Sequence, residues 1–250
     1  MSEVSRVAVA DGVVAEFYRA PDAQIAVVVI GGSGGGIGRC GFQANQLAMA
    51  GFTALAVAYH GMEGLPRTLC RIPLECFAEA VGWLRERTGA QVVLLGASRG
   101  SEAALLTAAL VDQVAGVAAL VPGNLVLCSW PPGEPAWTLE GKPLAYLSQF
   151  GPTSDNPDAV IPVELIDGPL LLVGAGQDTV WPSGAMVEAI SHRRHDHGHD
   201  HDVVLHYAKA DHNLGLLAPA GTADLPGDGE DRADAWSRLV DYLNSLSHGM

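Results

Sequence analysis

Apolar residues along this chain fall into short unbroken runs separated by stretches with helical spacing. Ile25 to Ile30, Thr53 to Ala58, Val92 to Leu95, Gly116 to Val121 and Leu170 to Val173 are continuous runs, the pattern of strands buried on both faces of a parallel sheet. Val203 to Tyr207 adds a further strand. Pro73 can open a helix at its first turn, after which Leu74, Phe77, Val81 and Leu84 share one face. Another helix is expected after Ser98 and a last one from about Ala233 to Leu246. Ahead of them, Val7 to Tyr18 alternates around Asp11-Gly12 and predicts a β-hairpin within residues 1–24. The order implies an α/β fold: one domain over 1–250, with a mostly parallel, doubly wound sheet, helices on both faces, and ligands at the carboxyl ends of the strands.

One stretch breaks the rhythm. Residues 122–168 carry Trp130, Pro131, Pro132, Pro135, Trp137, Pro143, Tyr146 and Pro152, too many prolines for a regular element and too many aromatics for an idle linker. The segment is expected to overhang the strand ends as a lid or pocket wall, with Trp130 and Trp137 against substrate. A surface excursion tucked down by its aromatics is the plainer alternative.

Charge narrows the partners. Twenty-eight acidic residues against 14 basic ones give a formal net charge of -14, and without a basic cluster this argues against a nucleic-acid or anionic-membrane surface. A small molecule is the expected partner, and oligomeric state is not readable. No apolar run reaches membrane-spanning length and the N-terminus lacks a basic-then-apolar leader, so a cytoplasmic protein is expected. Cys40, Cys70, Cys76 and Cys128 are scattered without metal or redox spacing and are read as reduced.

Candidate chemistry begins at Gly96-Ala97-Ser98-Arg99-Gly100, between an apolar strand and a helical segment. A strand that turns abruptly into a helix while presenting a hydroxyl needs small residues two before and two after the serine, which is the nucleophile-elbow pattern. Its partners should follow in the order acid, then histidine. Asp178 follows the strand ending at Val173, and His212 follows the strand ending at Tyr207. Asp211 is a rival acid, disfavoured because sequence neighbours rarely face each other.

Upstream, Gly31-Gly32-Ser33-Gly34-Gly35-Gly36-Ile37-Gly38 imitates a dinucleotide fingerprint. No tyrosine has a lysine four residues on, no acidic residue ends the second strand at Ala58-Tyr59-His60, and no lysine follows the glycines. The same glycines suit an oxyanion hole, with Ser33 N–H as one donor, Gly32 or Gly34 as substitutes lining the substrate site, and Arg99 N–H as the other. No cofactor is expected.

Several segments carry a resemblance. Ile72-Pro-Leu-Glu-Cys-Phe77, Gly96-Ala-Ser-Arg-Gly-Ser-Glu102, Ala136-Trp-Thr-Leu-Glu-Gly-Lys-Pro-Leu-Ala-Tyr146, Ile161-Pro-Val-Glu164, Asp178-Thr-Val-Trp-Pro-Ser183 and Asp234-Ala-Trp236 resemble the catalytic domain of the acyl-CoA thioesterase and bile acid-CoA:amino acid N-acyltransferase family. That domain is an α/β-hydrolase related to dienelactone hydrolase. The resemblance implies Ser98 as nucleophile, Asp178 as acid and His212 as base, acting on an acyl thioester, with acyl-CoA the expected substrate. The chain departs from the family in having only about 24 residues before the core, where members carry an immunoglobulin-like domain, and in having Arg99 and Cys76 where they have Lys and Tyr. Serine accompanies hydrolysis in that family and cysteine accompanies amide formation, so Ser98 points to a hydrolase. Transfer to an amine or alcohol, ester or lactone hydrolysis, and a catalytically silent binding protein are the alternatives. Arg39, Arg67, Arg71 and Arg99 could meet CoA phosphates, although solvated surface arginines are the commoner fate.

His192, His195, His197, His199 and His201, interleaved with Asp196, Asp200 and Asp202, form a low-complexity tract. It is expected to be a solvated loop between a helix and the strand at Val203, not a metal site, because a specific site needs ligands on a rigid frame.

Overall fold

The computed structural model describes residues 3–148, 156–222 and 229–247. Its elements in chain order are β1 (Glu3–Val7), β2 (Val14–Arg19), β3 (Ile25–Ile30), α1 (Gly38–Met49), β4 (Thr53–Ala58), β5 (Ile72–Pro73), α2 (Glu75–Thr88), β6 (Gln91–Ala97), α3 (Arg99–Leu110), β7 (Gly116–Leu120), β8 (Trp137–Leu139), β9 (Lys142–Pro143), β10 (Leu170–Ala175), α4 (Ser183–Asp196), β11 (Val203–Tyr207) and α5 (Gly229–Ser247).

Eight strands form one sheet in the order β1-β2-β4-β3-β6-β7-β10-β11. β1 and β2 pair antiparallel, β2 pairs antiparallel with β4, and every pairing from β4 to β11 is parallel. The continuous apolar runs become the central strands because both their faces are covered. Every residue of β3, β4 and β10 is buried, with one apolar cluster on each side of the sheet. On one side α2 lays down Phe77, Val81 and Leu84, all fully buried, and Leu74 just ahead of the helix joins them. On the other, α5 buries Ala235, Trp236, Leu239 and Leu243 against Val93, Leu95 and Val173.

Three expectations shift. The hairpin forms, but its strands stop at Val7 and Val14 and leave a six-residue connection instead of a two-residue turn at Asp11-Gly12. Pro73 does not open α2. It sits in β5, paired beside Trp137 and Thr138, and the helix starts at Glu75. The histidine tract is partly helical: α4 runs through His192 and His195 to Asp196, leaving only His197 to Asp202 as connection.

That tract is held from within. The Arg194 guanidinium, 1% exposed, pairs with Asp202 at 2.8 Å and donates to the carbonyls of Val163, Ile166 and Gly168. Arg193 grips Glu164 with two nitrogens. Among the described residues no group of three or more His, Cys, Asp or Glu side chains is placed to hold a metal ion.

The described part of the 122–168 insert packs into the body. Val126, Leu127, Ala136, Trp137, Leu147, Ala159, Ile161 and Val163 are buried in the core cluster shared with α2 and α3. Short elements, β8, β9 and two 3-10 turns, replace the irregular loop expected from its prolines. Residues 149–155 of the insert and residues 1–2 of the predicted hairpin lie outside the described residues.

Candidate active site

β6 delivers Ser98 at its carboxyl end and α3 begins at the next residue. Ser98 has φ 56° and ψ -122°, a conformation costly for a side-chain-bearing residue and held only by surroundings that over-determine it. The flanking glycines show what does so. A Cβ on Gly96 would run into the backbone of Gly100, and a Cβ on Gly100 would run into the carbonyls of Ile30 and Gly31. Ser98 N–H donates to Leu120 O at 2.9 Å, and Ser98 O accepts from Ser101 N at 3.0 Å. Strand and helix therefore meet as closely as backbone allows, and the hydroxyl is left at the carboxyl end of a central strand.

His212 Nε2 lies 2.9 Å from Ser98 Oγ, and His212 Nδ1 lies 2.8 Å from Asp178 Oδ2. The imidazole arrives on a short 3-10 turn, His212–Gly215, capped by Asp211, whose Oδ1 accepts Asn213 N–H at 2.8 Å. That cap is the role of Asp211. The carboxylate that meets His212 is that of Asp178, on the loop after β10. The Asp178 side chain is fully buried. Burial pulls its pKa upward, but hydrogen bonds from His212 and Ser183, the nearby His212 charge and the Val180 N–H outweigh it and hold the carboxyl below the ordinary aspartate range. Its Oδ1 accepts from Val180 N at 2.9 Å and Trp181 N at 3.2 Å. Trp181 stands edge-on to the His212 ring, with centroids 5.1 Å apart, and anchors its indole N–H on Val121 O.

Two cavities meet at Ser98, Ser33 and His212. One, of about 140 Å³, runs under the glycine loop and is lined by Gly31 to Gly36, Arg39, Cys40, Gln43 and Leu216. The other, of about 290 Å³, is walled by Arg99, Trp130, Val180 and Trp181. Gly32, Ser33 and Gly34 line the first cavity together with Ser98, and Trp130, 49% exposed, borders the second. Burial pushes the Cys40 thiol, which faces the Gly36, Ile37 and Val57 carbonyls, up to about 12, so it stays protonated.

Trp137 and the Arg99 side chain depart from expectation. Trp137 is fully buried and donates its indole N–H to Glu102 at 2.7 Å; it reaches neither cavity and cannot touch substrate. The Arg99 guanidinium is likewise buried, 2.9 Å from the Glu102 carboxylate and bonded to the carbonyls of Leu127 and Cys128. It is neither a solvated arginine nor a phosphate contact. Glu102 also accepts Leu127 N–H at 2.9 Å, so the pair ties the insert to the elbow helix. Of the other three arginines weighed for CoA, Arg39 borders a cavity, Arg71 pairs with Glu134 at the surface and Arg67 is exposed. Sequence reasoning passed over Glu102 and Arg194 as site or scaffold residues, and Trp181 and Val180 as cavity walls. The signal for the last two was their position directly after Asp178.

The sheet order, with its antiparallel first pair, and the elbow at the centre of the sheet define an α/β-hydrolase. Solved structures agree on the fold: dienelactone hydrolase from Anabaena variabilis superposes with a TM-score of 0.57 at 16% identity over 98% of this chain and 96% of that one, and an esterase of Pyrococcus furiosus with 0.67 at 13% over 98% and 93%. Residues 143–217 match the model of the family described as BAAT / Acyl-CoA thioester hydrolase C terminal. Acyl-coenzyme A thioesterase 1 of Rattus norvegicus is 28% identical over 90% of this chain and 61% of its own. Mitochondrial acyl-coenzyme A thioesterase 2 is 31% identical in the rat, over 98% and 61%, and 30% in Mus musculus, over 87% and 54%. The chain is thus similar to the BAAT / acyl-CoA thioester hydrolase C-terminal family over residues 143–217, and it spans roughly three-fifths of the length of these relatives. No helix among the described residues is long and apolar enough to cross a membrane.

Proposed function

We propose that this protein is a serine hydrolase that cleaves an acyl thioester, with acyl-CoA as the substrate class, through Ser98, His212 and Asp178. The observation that carries the reading is the continuous path Ser98 Oγ to His212 Nε2 to Asp178 Oδ2, at 2.9 and 2.8 Å, on a serine held at positive φ. His212 accepts the Ser98 proton as the hydroxyl attacks the thioester carbonyl, while Asp178 fixes the tautomer and stabilises the imidazolium. Ser33 and Arg99 backbone N–H groups hold the oxyanion. In support, both residues line the cavity at Ser98, and among the described residues the loop's Gly35 and Gly36 N–H groups are committed to Gly32 O and His60 O while Ser33 N–H makes no backbone bond. The thiol leaves, a water deprotonated by His212 attacks the acyl-serine, and the acid departs.

Similarity to the family over residues 143–217 and to thioesterase relatives favours a thioester over an oxygen ester. Serine as nucleophile points to water as acceptor by the pattern of the family it resembles, while the chemistry of an acyl-serine leaves the outcome to whichever acceptor is positioned and activated. Product analysis tests this: with an acyl-CoA and excess glycine or taurine, free acid is the expected product, and an N-acyl amino acid would replace hydrolysis by transfer. A cytoplasmic site of action belongs to the same proposal and is checked by fractionating the source cell.

A further inference from the structure

Just past the end of β4 stands a buried histidine that the proposed mechanism does not use. His60 is 3% exposed, and its Nε2 is buried with no hydrogen-bond partner. An orphaned ring nitrogen costs stability and asks for a functional reason. The carbonyl and the ring of His60 both meet the glycine loop. The carbonyl accepts Gly36 N–H at 2.9 Å, and the ring lies so close to Gly35 that a Cβ there would stand 2.8 Å from Nδ1 and Cε1. The ring also hydrogen-bonds the backbone of Gly32, and because this contact favours the protonated imidazole the acceptor is the Gly32 carbonyl. Burial, joined by the Arg99 charge, outweighs that carbonyl and keeps the imidazole below the ordinary histidine range, so the ring is neutral and has one N–H to give. With Nε2 unpartnered, that N–H is assigned to Nδ1. Tyr59, edge-on to His60 with ring centroids 4.9 Å apart, donates its hydroxyl to Gly31 O at 2.8 Å.

Gly32 C=O and Ser33 N–H belong to one trans peptide plane and point in opposite directions. Whatever holds that carbonyl therefore aims that N–H. Ser33 borders both cavities at Ser98, and Gly32 packs so tightly on the elbow that a Cβ on it would lie 3.2 Å from Ala97 O and 3.7 Å from Ser98 Cβ. Besides His60, the Gly32 carbonyl accepts Gly35 N–H at 3.2 Å, but that bond lies within the loop and moves with it. We propose that His60 is a positioning residue for the reaction: it anchors the peptide between Gly32 and Ser33 so that Ser33 N–H faces the oxyanion and Gly32 O cannot turn into its place. The proposal rests on the reading of Ser98 as nucleophile and Ser33 N–H as an oxyanion donor. A turned peptide would set a carbonyl where negative charge develops, which removes transition-state stabilisation and leaves ground-state binding intact.

The test follows kcat and KM for acyl-CoAs from acetyl to palmitoyl in wild type, His60→Leu, His60→Asn and Ser98→Ala. Inhibition by an alkyl trifluoromethyl ketone, which a serine nucleophile converts to an oxyanion adduct, is measured alongside. Leucine is near histidine in volume and has no donor, whereas the amide nitrogen of asparagine can stand where Nδ1 stood. For the best wild-type substrate, His60→Leu is expected to lower kcat by about ten- to a hundredfold while KM stays within about twofold, and to weaken the ketone by a factor similar to the loss in kcat. His60→Asn should recover most of both. A purely structural histidine would lower the melting temperature and leave kcat per folded molecule and ketone affinity unchanged; that result overturns the proposal, as does His60→Asn falling as far as His60→Leu. Should His60→Leu not fold, His60→Ala, which adds no bulk beside Gly35, takes its place against His60→Asn under the same criteria. Turnover that Ser98→Ala retains, or that wild type lacks across the series, refutes the reading of Ser98 and the positioning role with it. Ser98-dependent turnover that the donor-free variant matches refutes the positioning role alone.

Discussion

Asp178 shows at the residue scale how burial and hydrogen bonding compete. Burial alone would favour the neutral acid, yet the His212 imidazole, the Ser183 hydroxyl and the Val180 N–H keep the carboxyl below its ordinary range. A carboxyl whose folded pKa is depressed contributes stability above its unfolded value and loses it as pH falls through the folded one. Asp178→Asn should therefore differ most from wild type in unfolding free energy near neutrality, and the gap should narrow from about pH 5 to about pH 3 in urea denaturation. A gap that stayed constant would mean that the donors do not hold the ionised form. On the proposed mechanism the same variant loses roughly three to four orders of magnitude in kcat, because an amide in place of the carboxylate favours the wrong tautomer of His212. Two tryptophans part company at this scale as well. Trp130→Ala should raise KM by removing a cavity wall. Trp137→Phe should leave KM unchanged and cost about 1–3 kcal/mol in chemical denaturation, through the lost hydrogen bond to buried Glu102.

Among the elements, the elbow depends on two glycines and α4 on one arginine. Gly100→Ala would drive a methyl into the carbonyls of Ile30 and Gly31, so α3 must back away from β3. The expected result is several kcal/mol of lost stability and a slackened Ser98, read by thermal melting and by slower fluorophosphonate labelling. Arg194→Ala strands Asp202 and the three carbonyls that Arg194 binds, with an expected cost of about 3–5 kcal/mol in urea unfolding. Hydropathy could not reveal this. Arg193 and Arg194 read identically in sequence, as basic residues at the end of a helix, and only packing decides that the second is buried beneath residues 163–168. The same holds for Arg99 and Trp137. A sequence shows that a charge and an aromatic lie near the elbow, not which faces the core, and the glutamate that neutralises one and anchors the other is 35 residues from Trp137.

For the molecule as a whole, the central strands and the order of the site residues were legible because both rest on short-range constraints: strands buried on both faces must be uniformly apolar, and a strand-to-helix turn with no room for a Cβ must be glycine. Pro73 misled because its fixed φ suits a strand edge as well as a first helical turn, and pairing with Thr138 decided for the strand. The insert misled because its prolines mask residues that pair with one another across long separations, such as Leu127 with Leu147. The whole account turns on Ser98 being an acyl acceptor, and thiol release from a panel of acyl-CoAs of graded length, followed for wild type and Ser98→Ala of equal thermal stability, tests that directly. The account predicts turnover of at least one member by wild type and a loss of several orders of magnitude in Ser98→Ala; release that persists unchanged in the variant, or is absent from wild type across the panel, would contradict it.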